Sequence, residues 1–246
     1  MDILKKKCLA LPVLFLICVQ SNYAGPPFLT DDPEPVPLKH WEYYLSSVNI
    51  YQSSVWSGTL PHFEVNYGLV SNMQVHLLLP VNYTLLLHQG VHFGYADTEF
   101  GIKYRFLKET DNHPQAGIFP ICEIPTIRNN EFSDDRVKIF LPLWIQKSWN
   151  KLITYGGAGY WINPGSGNKN SVFLGWESQY DFSEAVTLGG ELYFQSADVV
   201  DGKSMTAFNL GGSINFSEQF HLIFSFGHSI TNDRFFSSYM GLLFTI

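Results

Sequence analysis

The sequence predicts an all-β fold, a transmembrane antiparallel up-and-down β-barrel of about twelve strands, and three observations support this prediction. Aromatic residues make up 16% of the chain and charged residues only 15%, whereas an ordinary globular domain has roughly 25% charged residues. Polar and apolar residues alternate in many short segments, as in "DTEFGIKYRF" (97–106). No apolar run after residue 24 approaches the ~18 residues of a transmembrane helix. Together these features favour strands that cross a membrane in a closed barrel.

The segment 97–106 raises the question of which face of a strand lies inside. Its aromatic and aliphatic side chains fall on one face of an extended chain, and its charged side chains fall on the other. The polar faces of the alternating segments carry Gly, Ser, Asn and Thr with few lysines, although a soluble surface is usually about a quarter or more charged. We therefore expect the apolar faces to meet outer-membrane lipid and the polar faces to line an enclosed lumen.

Twelve segments from His40 onward have the length and alternation of strands that cross a bilayer when tilted. They span 40–52, 60–67, 73–83, 95–107, 115–125, 137–148, 153–162, 171–180, 186–196, 204–216, 220–230 and 235–246. Longer connections alternate with short turns, and we predict the longer ones to be loops at 53–59, 84–94, 126–136, 163–170 and 197–203. An even strand number places both chain ends on the short-turn side, which we expect to be the periplasm.

The first 24 residues have the layout of a secretory signal peptide. Three lysines at 5–7 precede an uncharged apolar run from Cys8 to Val19, and Ala24 is a small residue at a cleavage position. A buried or anchoring N-terminal helix is the alternative interpretation. Cleavage after Ala24 would remove three lysines and one aspartate and move the net charge from −7 to −9. So acidic a chain is a poor candidate for binding nucleic acid, and we expect it in the outer membrane of a Gram-negative bacterium.

Residues 25–39, "GPPFLTDDPEPVPLK", contain five prolines and cannot form a regular helix or a central strand. We interpret them as an extended leader that precedes a barrel over 40–246 and either enters the lumen or stays loose. Inside the lumen, the leader would act as a small plug. Its acidic side chains would then meet basic side chains of the wall, which pairs Asp31, Asp32 or Glu34 with Lys103, Arg105 or Lys138.

Charged and aromatic residues at inward positions of the predicted strands are candidates for lining the lumen. The candidates are Glu64, His76, Glu99, Lys103, Arg105, Glu123, Lys138, Trp144, Glu177 and Glu191. Such charges either bias passage by charge or form ion pairs that brace a narrow barrel. Inward Phe119, Phe140, Trp144 and Tyr193 form either an apolar binding patch or packing for the leader.

Aromatic residues near predicted strand ends are expected to form girdles at the membrane surfaces. They are Trp56, Tyr67, Tyr83, Tyr104, Phe106, Trp149, Trp161 and Tyr180. The last strand alternates to the end of the chain with Phe244 and Ile246 outward. This resembles the closing strand that the barrel-assembly machinery recognises in outer-membrane barrels, and we expect that machinery to be a partner during biogenesis.

Catalytic chemistry finds little support in the sequence. A lipid-cleaving enzyme of this fold would need a serine and a histidine together, and His228 and Ser229 are the only adjacent pair of these two residues. Neighbouring residues in a strand face opposite sides, so these two side chains are not expected to meet. His62, Glu64 and His76 face the same side and could share a metal ion, but histidines in a barrel are more often polar lining. The segment "NPGSGN" (163–168) is followed by no helix that would bind phosphate. We therefore expect no enzyme, no metal and no cofactor.

Several segments resemble one bacterial outer-membrane family, which is named for the MetA pathway of phenol degradation and is also described as transporters. The similar segments are "AGPPFLTDDPEPV", "HWEYYLSS", "HFEVNYGLVSNMQVHLLLPVNY", "DTEFGIKYRF" and "GIFPICEIPT". The resemblance covers most of the mature chain. It implies a barrel that moves small organic, including aromatic, solutes. The alternatives are a structural or surface-interaction barrel without transport and an outer-membrane lipid enzyme.

Overall fold

The computed structural model describes residues 26–86, 90–127, 132 and 136–246. The signal-peptide prediction at 1–24 lies outside these residues. The described strands are β1 (Trp41–Gln52), β2 (Val55–Val70), β3 (Met73–Leu86), β4 (Gly90–Tyr95), β5 (Thr98–Leu107), β6 (Gln115–Ile118), β7 (Ile121–Ile124), β8 (Lys138–Trp149), β9 (Leu152–Ile162), β10 (Ser171–Ser183), β11 (Val186–Gln195), β12 (Met205–Asn215), β13 (Phe220–Ser229) and β14 (Phe235–Thr245). Within these ranges, no helix is long and apolar enough to cross a membrane.

The strands form one closed antiparallel sheet. Consecutive strands pair along the chain, and the last strand, β14, pairs back with β1. At two places around the wall, two short strands together take the place of one long strand. Both β4 and β5 pair with β3, and both β6 and β7 pair with β5 and β8 on their two sides. Counted in this way, twelve strands surround the lumen, and the predicted fold is confirmed.

The interruption between β6 and β7 falls at Phe119 and Pro120. Proline has no N–H to donate to a neighbouring strand, so a ladder is weakened where it occurs. The carbonyl of Pro120 still accepts the N–H of Ile102 at 3.1 Å. The wall therefore stays continuous at this point, although the regular strand pairing is broken.

Two of the predicted loops are wrong, because the strands on either side of them are longer than predicted. β1 and β2 are joined only by Ser53 and Ser54, which both have positive φ (51° and 68°), as a tight hairpin turn requires. Residues 55–59 of the predicted loop 53–59 belong to β2, because pairing with β1 and β3 keeps this stretch extended. The same pairing carries β3 to Leu86 and starts β4 at Gly90, inside the predicted loop 84–94.

The other predicted loops have different outcomes. The connections at 163–170 and 197–203 lie between strands, as predicted. Most of the predicted loop 126–136 cannot be compared, because residues 128–131 and 133–135 lie outside the described residues.

The outer surface of the barrel is apolar and the inner surface is polar. On β5, Phe100 is 44% exposed, whereas Lys103 is only 3% exposed. Ile102, Tyr104 and Phe106 are exposed on the same side as Phe100. The expected orientation of "DTEFGIKYRF" is therefore found, with the aromatic side chains outside and the charged ones inside.

The barrel has two distinct ends. β1 begins and β14 ends at the same end, where Trp41 N–H donates to the carbonyl of Ile246 at 2.7 Å. We call this end the terminal rim. The opposite end carries the Ser53–Ser54 turn and the connections at 163–170 and 197–203, and we call it the hairpin rim.

Candidate functional site: the barrel lumen

The lumen contains the side chains that the sequence selected as lining candidates. Six of them are buried inside the barrel, and four more are half-buried along the inner wall. The buried ones are Glu64, His76, Lys103, Trp144, Glu177 and Glu191. The half-buried ones are Glu99, Arg105, Glu123 and Lys138. Side chains alternate between the two faces of each strand, and in a closed barrel one of these faces is the lumen. Every inward polar residue therefore lines the lumen, which is why the set is large.

The leader, of which residues 26–39 are described, lies in the lumen. Phe28, Val36, Thr30 and Asp32 are buried, the last two with no exposed surface. Gly175 on β10 provides part of the space for this segment. A Cβ atom at position 175 would meet Thr30 Oγ1 and would lie 2.9 Å from the Phe173 ring. The leader is therefore packed closely against the wall.

On one wall, the leader is held by basic side chains of β5. Lys103 Nζ donates to Asp31 Oδ1 at 2.9 Å and to Asp32 Oδ2 at 3.3 Å. Arg105 Nη1 donates to Glu34 Oε1 at 3.3 Å. Charge-assisted hydrogen bonds of this kind are about twice as strong as neutral ones. All three acidic side chains of the leader thus bind cations of a single strand.

Lys138 was a third predicted partner for the leader, but it forms an ion pair within the wall. Its Nζ atom lies 3.5 Å from Glu123 Oε2. Glu123 and Lys138 are directly opposite each other on β7 and β8, so this pair brings together neighbouring strands. Glu99 is opposite Glu123 on the other side.

On the other wall, the backbone of the leader binds a carboxylate of β11. Glu191 accepts the N–H groups of Leu29 at 2.9 Å and Thr30 at 2.8 Å. Asn209 Nδ2 donates to Glu191 Oε1 at 2.5 Å. Glu177 is directly opposite Glu191 in the sheet and is completely buried. The leader therefore lies between basic side chains of β5 and acidic side chains of β10 and β11.

Three further contacts hold the leader along its length. Ser225 Oγ of β13 donates to the carbonyl of Pro27 at 2.7 Å. Val36 N–H donates to Gln74 Oε1 of β3 at 2.8 Å. Near the terminal rim, Lys39 N–H donates to the carbonyl of Gly68 at 2.7 Å. The chain thus enters the barrel at the terminal rim, and its N-terminal end lies deeper in the lumen.

The possible metal site is an internal hydrogen-bond network. His76 Nδ1 lies 2.8 Å from Asn66 Oδ1 and 3.4 Å from Glu64 Oε1. His62 Nδ1 is hydrogen-bonded to Thr59 Oγ1 at 2.9 Å. Among the described residues, no group of three or more His, Cys, Asp or Glu side chains has the geometry to hold a metal ion.

Aromatic side chains fill the part of the lumen nearer the hairpin rim. We call them the lumen aromatic cluster, and they are Phe119, Phe140, Trp144, Phe173, Tyr193 and Phe235. Trp144 meets Phe173 edge to face with 6.2 Å between ring centroids, and Phe173 stacks on Tyr193 at 6.0 Å. The rings therefore pack mainly on one another.

Trp161 also belongs to the inside of the barrel, so its predicted place in the outer girdle is wrong. Its ring stacks on Phe140 with 4.6 Å between centroids. Trp161 and Phe140 are directly opposite each other on β9 and β8, and directly paired residues share a face of the sheet. The position near a strand end suggested a girdle, but the alternation of side chains along the strand determines whether a residue faces lipid or the lumen.

Several further polar residues that face the lumen are absent from the predicted lining set. Glu42, Gln74, Gln115, Gln146 and Asn209 are buried there. Residues two apart in a strand face the same side, and this spacing could have identified them. Glu42 is two residues from the buried Tyr44, and Gln146 is two residues from the buried Trp144.

His228 and Ser229 lie on opposite sides of the wall. His228 is exposed on the outside, and Ser229 is buried on the inside. Ser229 Oγ accepts the N–H of Phe235 at 3.0 Å, which connects β13 to the start of β14. The two side chains therefore do not form a nucleophile and base pair.

Solved structures that are similar to this chain include an outer-membrane channel and two porins. An outer membrane channel from Pseudomonas putida F1 has a TM-score of 0.69 and 14% identity, with 87% of this chain and 98% of that chain covered. NanC porin has a TM-score of 0.58 at 10% identity, and KdgM porin has 0.55 at 11%, each covering 82% of this chain and 98% of the other. No family model and no curated protein sequence matches the chain. At these identities, the likeness shows the fold alone.

Proposed function

We propose that this protein is a passive outer-membrane channel for small organic compounds, and that its leader acts as a plug. The observation that carries the proposal is a polar, charged lumen enclosed by a wall with an apolar outer surface. Such a lumen offers a path for solutes through hydrocarbon. The likeness to a channel and two porins supports the same class.

Aromatic solutes are the substrate class that we propose first. The lumen aromatic cluster provides an apolar surface inside the wall, and binding sites for small apolar ligands are mostly lined in this way. The resemblance to the family named for phenol degradation supports the same class. Export by the signal peptide and insertion by the barrel-assembly machinery belong to this proposal, with outer-membrane lipid as the surrounding partner.

Liposome swelling tests the proposed channel. The purified mature chain is reconstituted, and the flux of phenol, small phenol derivatives and small sugars is compared with that of empty liposomes. The same assay is run on a chain that lacks residues 25–39. Flux of phenols in either protein supports the proposal. Absence of flux for every solute in both proteins would contradict it.

A structural or surface-interaction barrel is the second candidate, and one observation favours it. The leader fills the polar half of the lumen so closely that Thr30 and Asp32 have no exposed surface. A permanently filled barrel would conduct nothing until the leader is removed. Folded protein that shows no flux with or without its leader would support this second candidate.

A further inference from the structure

The contacts around Glu34 have the form of a carboxylate-binding site. Arg105 Nη1 donates to Glu34 Oε1 at 3.3 Å, and Gln115 Nε2 donates to Glu34 Oε2 at 3.1 Å. Arg105 Nη1 also donates to Gln115 Oε1 at 3.0 Å, which holds the two donors side by side. Each oxygen of one carboxylate therefore has its own donor, which is the arrangement that recognises this group.

Lys103 extends this site deeper into the lumen. It lies two residues before Arg105 on β5 and faces the same side, so the two cations are separated by about 7 Å along the strand. Lys103 is buried and binds the carboxylates of Asp31 and Asp32. A buried ammonium is costly unless an anion accompanies it. If the leader left the lumen, another anion or water molecules would therefore have to take the place of its carboxylates beside the Lys103 ammonium.

The leader is attached to the wall by side chains and not by a strand ladder. Inside the lumen, the backbone N–H groups of Leu29, Thr30 and Val36 bind the side chains of Glu191 and Gln74. Among the described residues of the leader, only Lys39 at the terminal rim donates to a backbone carbonyl of the wall, that of Gly68. The prolines at 26, 27, 33, 35 and 37 have no N–H to contribute. A free carboxylate can reproduce the ionic contacts of the leader, whereas it could not replace a paired strand.

The cationic site adjoins the lumen aromatic cluster. Lys103 Nζ lies 5.2 Å from the centroid of the Phe119 ring, and Phe119 belongs to that cluster. Trp144 in the same cluster has a buried Nε1 with no hydrogen-bond partner among the described residues. The apolar surface of the cluster therefore meets a cation at Phe119, and the same cluster carries a buried indole N–H.

We infer that Lys103, Arg105 and Gln115 bind the carboxylate of a small aromatic or apolar organic acid, whose ring lies on the lumen aromatic cluster. Asp31, Asp32 and Glu34 of the leader occupy this site as an internal substitute for that ligand. Glu191 on the other wall repels the carboxylate and directs it toward β5. This inference names a substrate class for the proposed channel and rests on that proposed function.

Equilibrium binding to the folded mature chain in detergent micelles tests the inference. The probes are benzoate and benzyl alcohol, which share a ring and differ in charge, and the readouts are calorimetry and tryptophan fluorescence. In the variant D31N/D32N/E34Q, the internal carboxylates lose their charge. We expect benzoate to bind this variant about tenfold more tightly than the wild type, a change typical of one charge-assisted contact. Benzyl alcohol should bind both proteins equally.

A second variant adds Lys103→Gln to the same background. We expect the gain for benzoate to disappear, while Lys151→Gln on the exposed turn after β8 should leave the gain intact. Heat-modifiable migration in detergent gels checks that each variant is folded. If the triple variant does not fold, Glu34→Gln alone serves, because that side chain is already 41% exposed; it should give a smaller gain for benzoate only.

Equal behaviour of benzoate and benzyl alcohol in every folded variant would overturn the inference. This result is distinguishable from failure of the proposed channel, because binding in micelles requires no flux. Flux of neutral phenols without selective benzoate binding would leave the channel standing and remove the carboxylate site. Selective benzoate binding without flux of any solute would support the carboxylate site and contradict the channel.

Discussion

The two halves of the lumen are stabilised in different ways. Near the hairpin rim, the lumen aromatic cluster consists of side chains of the wall itself, which pack on one another. Toward the terminal rim, the space is filled by the leader, which contacts wall charges on β5 and β11. The first half is complete without the leader, whereas the second is complete only with it. The difference indicates which half can open.

The largest expected effect comes from deleting residues 25–39. Removal of the leader empties the polar half and leaves the aromatic half intact, so the path widens over the polar half. We expect a several-fold rise of single-channel conductance in planar bilayers. Unchanged conductance in a folded protein would show that the leader does not limit the path.

Trp144→Ala should weaken the aromatic half directly. Trp144 is only 1% exposed, and truncation of a buried tryptophan to alanine costs about 3–5 kcal/mol. We expect this loss in the free energy of unfolding by urea, with the same value in the chain that lacks its leader. Trp149→Ala on the outer surface is the control and should cost less. A loss that depends on the leader would mean that the two halves are coupled.

Lys103→Gln should weaken the polar half by about 3 kcal/mol, since it leaves buried carboxylates without their cation. In the chain that lacks residues 25–39, the same substitution should cost less than about 1 kcal/mol, because no buried ion pair is left to break. A double-mutant cycle in urea measures the difference. Equal costs in both backgrounds would show that Lys103 stabilises the wall and not the leader.

Glu34→Gln should have the smallest effect. The Glu34 side chain is 41% exposed, and exposed ion pairs contribute roughly 0–1 kcal/mol. We expect a loss within this range that shrinks further at high salt, measured by the same unfolding experiment. A loss comparable to that of Lys103→Gln would show that the outer contact of the leader matters as much as the deep one.

Strand parity carried most of what could be predicted. Alternation in 97–106 correctly placed Phe100 outside and Lys103 inside, because a closed antiparallel wall gives each parity one environment. It failed where a second signal was followed instead. Trp161 was assigned by its strand-end position, and 53–59 was assigned to one of the longer connections, although pairing with neighbouring strands determines both.

The partners inside the lumen could be predicted only as a set. The sequence offered three acidic residues of the leader and three basic residues of the wall, but it could not match them. Lys138 pairs with Glu123 because β7 and β8 are neighbours with that register. Glu191 holds the leader through backbone N–H groups. Every residue except proline has such a group, so the residue types do not show which ones bind.

The direction in which the leader runs has a practical consequence. It enters beside Lys39 at the terminal rim and reaches Ser225 with Pro27, so the part of the leader nearest the predicted cleavage site lies within the barrel. An affinity tag fused ahead of Gly25 would compete for the same volume and would alter the properties under study. A tag placed in the connection at 163–170 avoids this competition, because that connection lies at the hairpin rim, at the other end of the barrel.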